Sequence, residues 1–256
     1  MSIEMAGDTH IGRKRDNNED SFLVLSPPLL NKLPVEAVLL AADGMGGHER
    51  GEVASGNVRD VFEAVFSAQY AEFLETYKVS SRENLLDTLI HEIHRNLREM
   101  ALENVVEGEQ RELMGTTLTV GLIMGETLTL GHVGDSRAYL IRGDLVAQLT
   151  EDHTIAHRLV KAGKMTPEEA ATSKYRNALS QALGASEKVQ PDITTFPLEA
   201  GDVLLLCTDG LSRYLEDTDL FDLVREHAPA ESCSKLIELA NSRGGRDNIT
   251  VVIAKI

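Results

Sequence analysis

Apolar and polar positions along the chain predict a mixed α and β protein with no obvious linker. Residues 2–8 and 21–26 read as short strands, and 35–42 (VEAVLLAA) as a buried one. Two helical stretches follow. The first runs from about Glu52 to Tyr77, where Val53, Val58, Val61, Phe62, Val65, Phe66 and Phe73 recur at helical spacing. The second starts near Ser81, an N-cap residue type, and carries Leu85, Leu86, Leu89, Ile90, Ile93, Leu97 and Met100. The β-branched segments TTLTVGLIM, ETLTLGHVG, SRAYLIRG and LVAQLT then predict a meander of antiparallel strands.

Residues 152–185 change character. DHTIAHRLVKAG predicts a helix ended by Gly163, a second short helix starts at Pro167, and SKYRNALSQALGAS is polar and loop-like, so the region reads as an appended flap. Strands return at 192–198 and 202–208, a helical pair covers about 217–243, and NITVVIAKI is a final strand. Runs of strands separated by paired helices predict sheet-on-sheet packing with helices outside, an α+β arrangement.

Composition narrows the function. Asp and Glu number 41 against 25 Lys and Arg, a formal charge of −16. That surplus argues against unaided nucleic-acid binding and against a basic membrane-surface module. Aromatic residues make up 4% and Trp is absent, so stacking platforms for single strands are not expected. The two cysteines, Cys207 and Cys233, indicate no disulfide framework, and Cys207 lies in the apolar run VLLLC. The start MSIEMAGDTH lacks the pattern of a signal peptide, and no apolar run approaches the roughly 20 residues of a membrane span. A cytoplasmic setting is the expectation.

The candidate chemistry lies in aspartates at strand ends. Asp43 and Gly44 follow VLLAA, Asp135 follows TLGHVG, Asp209 and Gly210 follow VLLLCT, and Asp247 stands just before the final strand. Turn chemistry explains any one of these, since Asp bonds its own backbone and Gly supplies positive φ. Four at strand ends are better explained by a shared site. If the final strand runs antiparallel to a neighbour, the carboxylates converge on one sheet edge, where they repel unless a cation compensates. An all-oxygen ligand set favours Mg²⁺, Mn²⁺ or Ca²⁺ over Zn²⁺. Arg15, in RDNNED, adds a guanidinium suited to a phosphate or a carboxylate. His91 with His94, and His153 with His157, share helical faces, but neither pair meets the H-E-x-x-H pattern. Residues 44–47 lack the spacing of a dinucleotide loop.

The segments Arg15–Asp20, Asp43–Gly47, Met114–Thr117, Gly134–Arg137, Asp152–His153, Thr208–Leu211 and Gly244–Thr250 stand in the order found in metal-dependent protein phosphatases of type 2C. The chain resembles that family from about residue 3 to 256, and Met45 within D-G-M-G-G resembles its bacterial branch. The resemblance implies one catalytic domain over 1–256, an αββα sandwich of two antiparallel sheets flanked by helix pairs. It implies a Ser/Thr phosphoprotein phosphatase that opposes Ser/Thr kinases, acting by direct attack of a water bridging two divalent ions, Mn²⁺ or Mg²⁺. By that resemblance Asp43 bridges the two ions, the Gly44 carbonyl ligates one, and Asp209 and Asp247 ligate the other. Glu19 and Asp20 hold metal-bound waters, Asp135 with Asp209 contacts a third, weaker ion, and Arg15 binds the substrate phosphate.

One departure matters. Animal relatives carry a proposed general-acid histidine where this chain has Met45. The leaving group then takes its proton from a metal-bound water, the favoured reading, or from a nearby histidine such as His48. His153 reads as a helix-start or packing residue. A binding module that has lost turnover should lack one of Asp43, Asp209 or Asp247, and all are present. A nuclease or phosphodiesterase would need a basic track that the acidic balance makes hard to build. Phosphoproteins are the expected partners, and a monomer is the expected state.

Overall fold

The computed structural model describes residues 2–28, 33–46, 50–103 and 114–256. One sheet contains β1 (Glu4–His10), β7 (Arg137–Arg142), β8 (Leu145–Gln148), β10 (Val203–Cys207) and β11 (Ile249–Lys255), in the order β1-β11-β10-β7-β8. The other runs β2 (Asp20–Leu25), β3 (Ala37–Met45), β5 (Leu118–Met124), β6 (Thr127–Val133) and β9 (Asp192–Pro197), and the short β4 (Gly115–Thr116) pairs with β3. All of these strand pairings are antiparallel.

The apolar strands are apolar on both faces because both faces are covered. On β3, Ala37, Leu39 and Ala41 meet Leu204, Leu206, Val252 and Ala254 of the opposite sheet. The alternate residues Val38 and Leu40 join Val58 and Phe62 of α1 (Arg50–Ala64) and Leu86 and Ile90 of α3 (Arg82–Glu103). On β10, Val203, Leu205 and Cys207 face outward, packing with Leu220 and Val224 of α7 (Asp217–Glu226) and Leu236 of α8 (Pro229–Ser242). Three apolar layers separate four layers of structure, as the αββα expectation requires.

Two expectations need correction. The four β-branched segments form two hairpins, not one meander: β5 pairs with β6 in one sheet, and β7 pairs with β8 in the other. The chain changes sheets at Gly134, whose φ of +113° is open to glycine and whose absent Cβ would collide with Thr117. The stretch from about Glu52 to Tyr77 is also not a uniform helix. After α1 it passes through a π-helical turn at Val65–Gln69 before α2 (Tyr70–Thr76). Ser81 does cap α3, its hydroxyl accepting from the Asn84 amide at 3.1 Å.

Within 152–185, Thr154 caps α4 (Ile155–Lys161), and Thr166 forms a capping box at α5 (Pro167–Thr172). Gly163 has φ +66° and closes the first of these helices, as expected. The irregular remainder is tied down by bridges from Leu183 to Thr116 and from Leu179 to Thr154.

Candidate metal and phosphate site

Each carboxylate is placed by a different piece of the sandwich. Cys207 pairs with Val251, so Asp209 just beyond β10 and Asp247 just ahead of β11 come to the same sheet edge. In the second sheet Asp20 at the start of β2 is the register partner of Asp43 near the end of β3. Asp135 arrives on the connection where the chain crosses between sheets.

The two threonines of M-G-T-T fix Asp43 through its backbone. Thr117 Oγ1 accepts from the Asp43 amide at 2.8 Å, while the Thr117 amide and the Thr116 hydroxyl donate to its carbonyl at 2.9 and 3.0 Å. Asp20 is held through its side chain. Its Oδ2 accepts from the hydroxyls of Thr208 at 2.8 Å and Thr250 at 2.7 Å, both reaching over from the other sheet. Gly44 has no room for a Cβ, which would run into the carbonyl oxygens of Gly51 and Glu19. Glu19 donates its amide to Asn248 Oδ1 at 2.9 Å.

Two guanidinium groups enter this acidic edge. Arg15 lies 2.9 Å from Asp247 Oδ1 and donates to Oδ2 at 3.1 Å, so the expected phosphate ligand is paired with an expected metal ligand. Arg213, which the sequence reading did not single out, pairs with Asp209 and lies 3.8 Å from Asp135 and 3.9 Å from Asp247. Asn248 was also missed. Its side chain donates to the carbonyls of Ile11 at 3.0 Å and Asn17 at 2.9 Å, stapling the Arg15 loop to the start of β11.

A cavity of about 820 Å³ is lined by Arg15, Glu19, Asp43, Gly44, Asp135, Asp209, Arg213 and Asp247. A second, about 750 Å³, shares Asp135, Asp209, Arg213 and Asp247 and continues toward Thr154, Pro167 and Arg176 of the flap. The expected site residues other than Asp20 therefore line one cleft, and Asp20 is buried behind it.

The electrostatics of the cleft are those of crowded, dehydrated acids. Burial, then repulsion from Asp209, Asp20, Asp135 and Asp247, holds the Asp43 carboxyl well above the usual range. Burial likewise pushes Asp20 to about 7, Asp135 to about 7 and Asp209 to about 6. Asp20 Oδ1 and Asp209 Oδ1 are buried with no hydrogen-bond partner. Orphaned carboxylate oxygens in an all-oxygen pocket fit a hard divalent cation, which would favour the ionised acids. With Arg15 and Arg213 as placed, no three His, Cys, Asp or Glu side chains among the described residues close on a single ion-sized point.

Other candidates fall away from the cleft's chemistry. His94 Nδ1 accepts from the Gly184 amide at 3.1 Å, His91 lies against the Asp87 carbonyl at 2.8 Å, and His157 lies 3.5 Å from Glu151. His153 is a packing residue as expected: its Nδ1 accepts from the Gly134 amide at 3.1 Å, and its Nε2 lies 3.1 Å from Asp192. The adjacent Asp152 accepts both arms of Arg137, at 2.9 and 2.7 Å, linking G-D-S-R to D-H. Burial pushes the thiols of Cys207 and Cys233 up to about 12, consistent with neither being a nucleophile. Gly47 and His48 lie outside the described residues.

Comparison with known proteins accords with this geometry. Residues 6–249 match the protein phosphatase 2C family. The protein phosphatase PhpP of Streptococcus pneumoniae is 34% identical over 249 residues, covering 97% of this chain and 95% of that protein. The serine/threonine phosphatase of S. agalactiae superposes with a TM-score of 0.84 at 34% identity, covering 100% of both chains. The catalytic domain of PstP, solved in complex with two manganese ions, superposes with a TM-score of 0.78 at 35% identity, covering 99% of this chain and 97% of that one. The chain belongs to the protein phosphatase 2C family. Its activity is that of a protein-serine/threonine phosphatase, a phosphoric monoester hydrolase.

Proposed function

We propose that the chain, read as one catalytic domain over 1–256, removes phosphate from phosphoserine and phosphothreonine in phosphoproteins and so counteracts a Ser/Thr protein kinase. Asp43, Asp209, Asp247 and the Gly44 carbonyl would hold two divalent ions, Mn²⁺ or Mg²⁺. When bound, such ions supply an activated water for direct attack on phosphorus and neutralise charge on the phosphoryl oxygens. Glu19 and Asp20 would orient water around them, and Asp135 with Asp209 defines a third cation position.

The chain's own groups do the rest. Arg15 stands at the mouth of the cleft, and its guanidinium can exchange the Asp247 carboxylate for phosphoryl oxygens of similar geometry. Met45 lines the same cleft and has no proton to give, so the leaving alkoxide takes its proton from water. The Thr116 and Thr117 bonds keep the Asp43 backbone from moving as charge changes in the cleft.

The observation that carries this reading is the convergence of Asp20, Asp43, Asp135, Asp209 and Asp247, each an electrostatic burden on Asp43 or its neighbours. Manganese in the PstP relative supports it. Among the described residues no helix is long and apolar enough to cross a membrane. A cytoplasmic monomer acting on soluble phosphoproteins is the accompanying proposal. Purified protein should release phosphate from phospho-Ser/Thr peptides with Mn²⁺ and stop on addition of EDTA. Asp209→Asn should keep the fold and remove most turnover. Undiminished turnover in EDTA or in D209N would refute the metal assignment.

A further inference from the structure

Arg213 caps the one-turn helix α6 (Asp209–Ser212), four residues after Asp209. Its guanidinium engages Asp209 Oδ2 and lies 3.8 Å from Asp135 Oδ2 and 3.9 Å from Asp247 Oδ2. One cation thereby stands within ion-pair distance of carboxylates from three separate segments: the crossing between the sheets, the end of β10 and the approach to β11. Arg213 also lines both cavities, at the place where they share Asp135 and Asp209.

The neighbouring cations are committed elsewhere. Arg137 gives both arms to Asp152, and Arg15 gives its terminal nitrogen to Asp247. Among the described residues, Arg213 is the one basic side chain within ion-pair distance of Asp135. The division of labour at Asp209 is equally specific: Oδ2 faces Arg213, while Oδ1 is buried without a partner. That arrangement leaves one oxygen for a core metal ion and devotes the other to the guanidinium.

We infer that the guanidinium of Arg213 occupies the third cation position between Asp135 and Asp209, so that this chain takes up two divalent ions and not three. The inference rests on the two-ion reading above. A third divalent ion would have to share Asp209 Oδ2 and Asp135 Oδ2, both on buried side chains, with a positive group of fixed charge, and like charges so close repel. Unlike an ion, the guanidinium cannot dissociate, so the charge it supplies does not depend on metal concentration. Arg213 acts here as a positioning residue that holds Asp209 for the core ions.

Counting bound Mn²⁺ by equilibrium dialysis and calorimetry tests this directly. Wild type should bind two ions, and Asp135→Asn should leave that number unchanged. Arg213→Gln should gain a third ion, its affinity at least about tenfold tighter than any weak third binding in wild type, about 1.4 kcal/mol. Adding D135N to R213Q should remove the gain. A wild type that binds three ions and loses one in D135N overturns the assignment even if R213Q cannot be purified. R213Q that folds by circular dichroism yet still binds only two ions overturns it as well. A wild type that binds no Mn²⁺ and releases no phosphate overturns the metal-centre reading itself.

Discussion

Asp20 and Asp43 face each other as register partners across β2 and β3, yet they are anchored differently: two threonine hydroxyls from the opposite sheet bond the Asp20 carboxylate, while two threonines hold Asp43 by its backbone. Like charges directly opposite on neighbouring strands destabilise a sheet. Burial and the surrounding carboxylates hold the Asp43 carboxyl well above its ordinary range. A raised folded pKa means that ionising Asp43 costs the folded state stability at neutral pH. Asp43→Asn is therefore expected to stabilise EDTA-treated protein by on the order of 1 kcal/mol, a rise of about 2–4 °C in Tm. The same substitution should lower turnover with Mn²⁺ by at least about 100-fold. A thermal melt that falls, or an activity that survives, contradicts the role given to this carboxylate.

Asn248 makes three bonds that no nearby group replaces: to the Ile11 and Asn17 carbonyls and from the Glu19 amide. Removing them leaves partly buried backbone groups unpaired at a cost of about 1–3 kcal/mol. Asn248→Ala should lower the urea midpoint accordingly. It should also raise KM for a phosphopeptide, because the loop it releases carries Arg15. A stability change without any change in KM would separate the loop from the cleft.

Arg15→Ala should raise KM for phosphopeptides about tenfold, the worth of a charge-assisted bidentate contact. Mn²⁺ affinity should hold or improve, since the substitution frees Asp247 from its ion pair. Steady-state kinetics beside a metal titration reads both. Weakened Mn²⁺ binding would instead make Arg15 a support for the ligands.

His132 gives a pH signature away from the cleft. Its Nε2 lies 3.1 Å from the Glu151 carbonyl and its Nδ1 2.9 Å from the Thr119 hydroxyl, with the His153 ring 4.8 Å away. Burial, then repulsion from His153, pushes it down to about 4, against the opposing pull of Asp152 and Asp192. The unfolded chain therefore takes up this proton first. Stability from the neutral ring is complete above about pH 6.5 and is lost as pH falls toward 4, amounting to about 3 kcal/mol. Urea midpoints for wild type and His132→Gln should converge over that range. Parallel pH profiles would show that His132 takes up its proton equally in the folded and the unfolded chain.

Asp43, Asp135, Asp209 and Asp247 were legible because each stands at an end of an apolar strand, and turn chemistry, which accounts for any one of them, does not account for four. The layers were legible because a strand apolar on both faces needs cover on both. Arg213 was not legible, because its place depends on the one-turn helix α6, whose Gly210 packs where a Cβ would strike the Asn248 carbonyl. The role of Asn248 was hidden because its partners lie more than 200 positions away in the chain. The π turn at Val65–Gln69 was hidden by an apolar repeat that continues through it. The sheet change at Gly134 was hidden because a crossing and a hairpin both begin with a glycine.

β11 sits inside its sheet, between β1 and β10, and brings Asp247, Asn248 and Thr250 with it. Every other residue proposed for the site precedes Asp247 in the chain and so leaves the ribosome before it. Until residues 247–255 emerge, β1 and β10 have no shared neighbour and the Arg15 loop has no staple. Asp20 at that stage has one threonine instead of two. The edge where the carboxylates meet is therefore assembled only when this one strand is in place, because it joins β1 to β10 and supplies the second hydroxyl on Asp20.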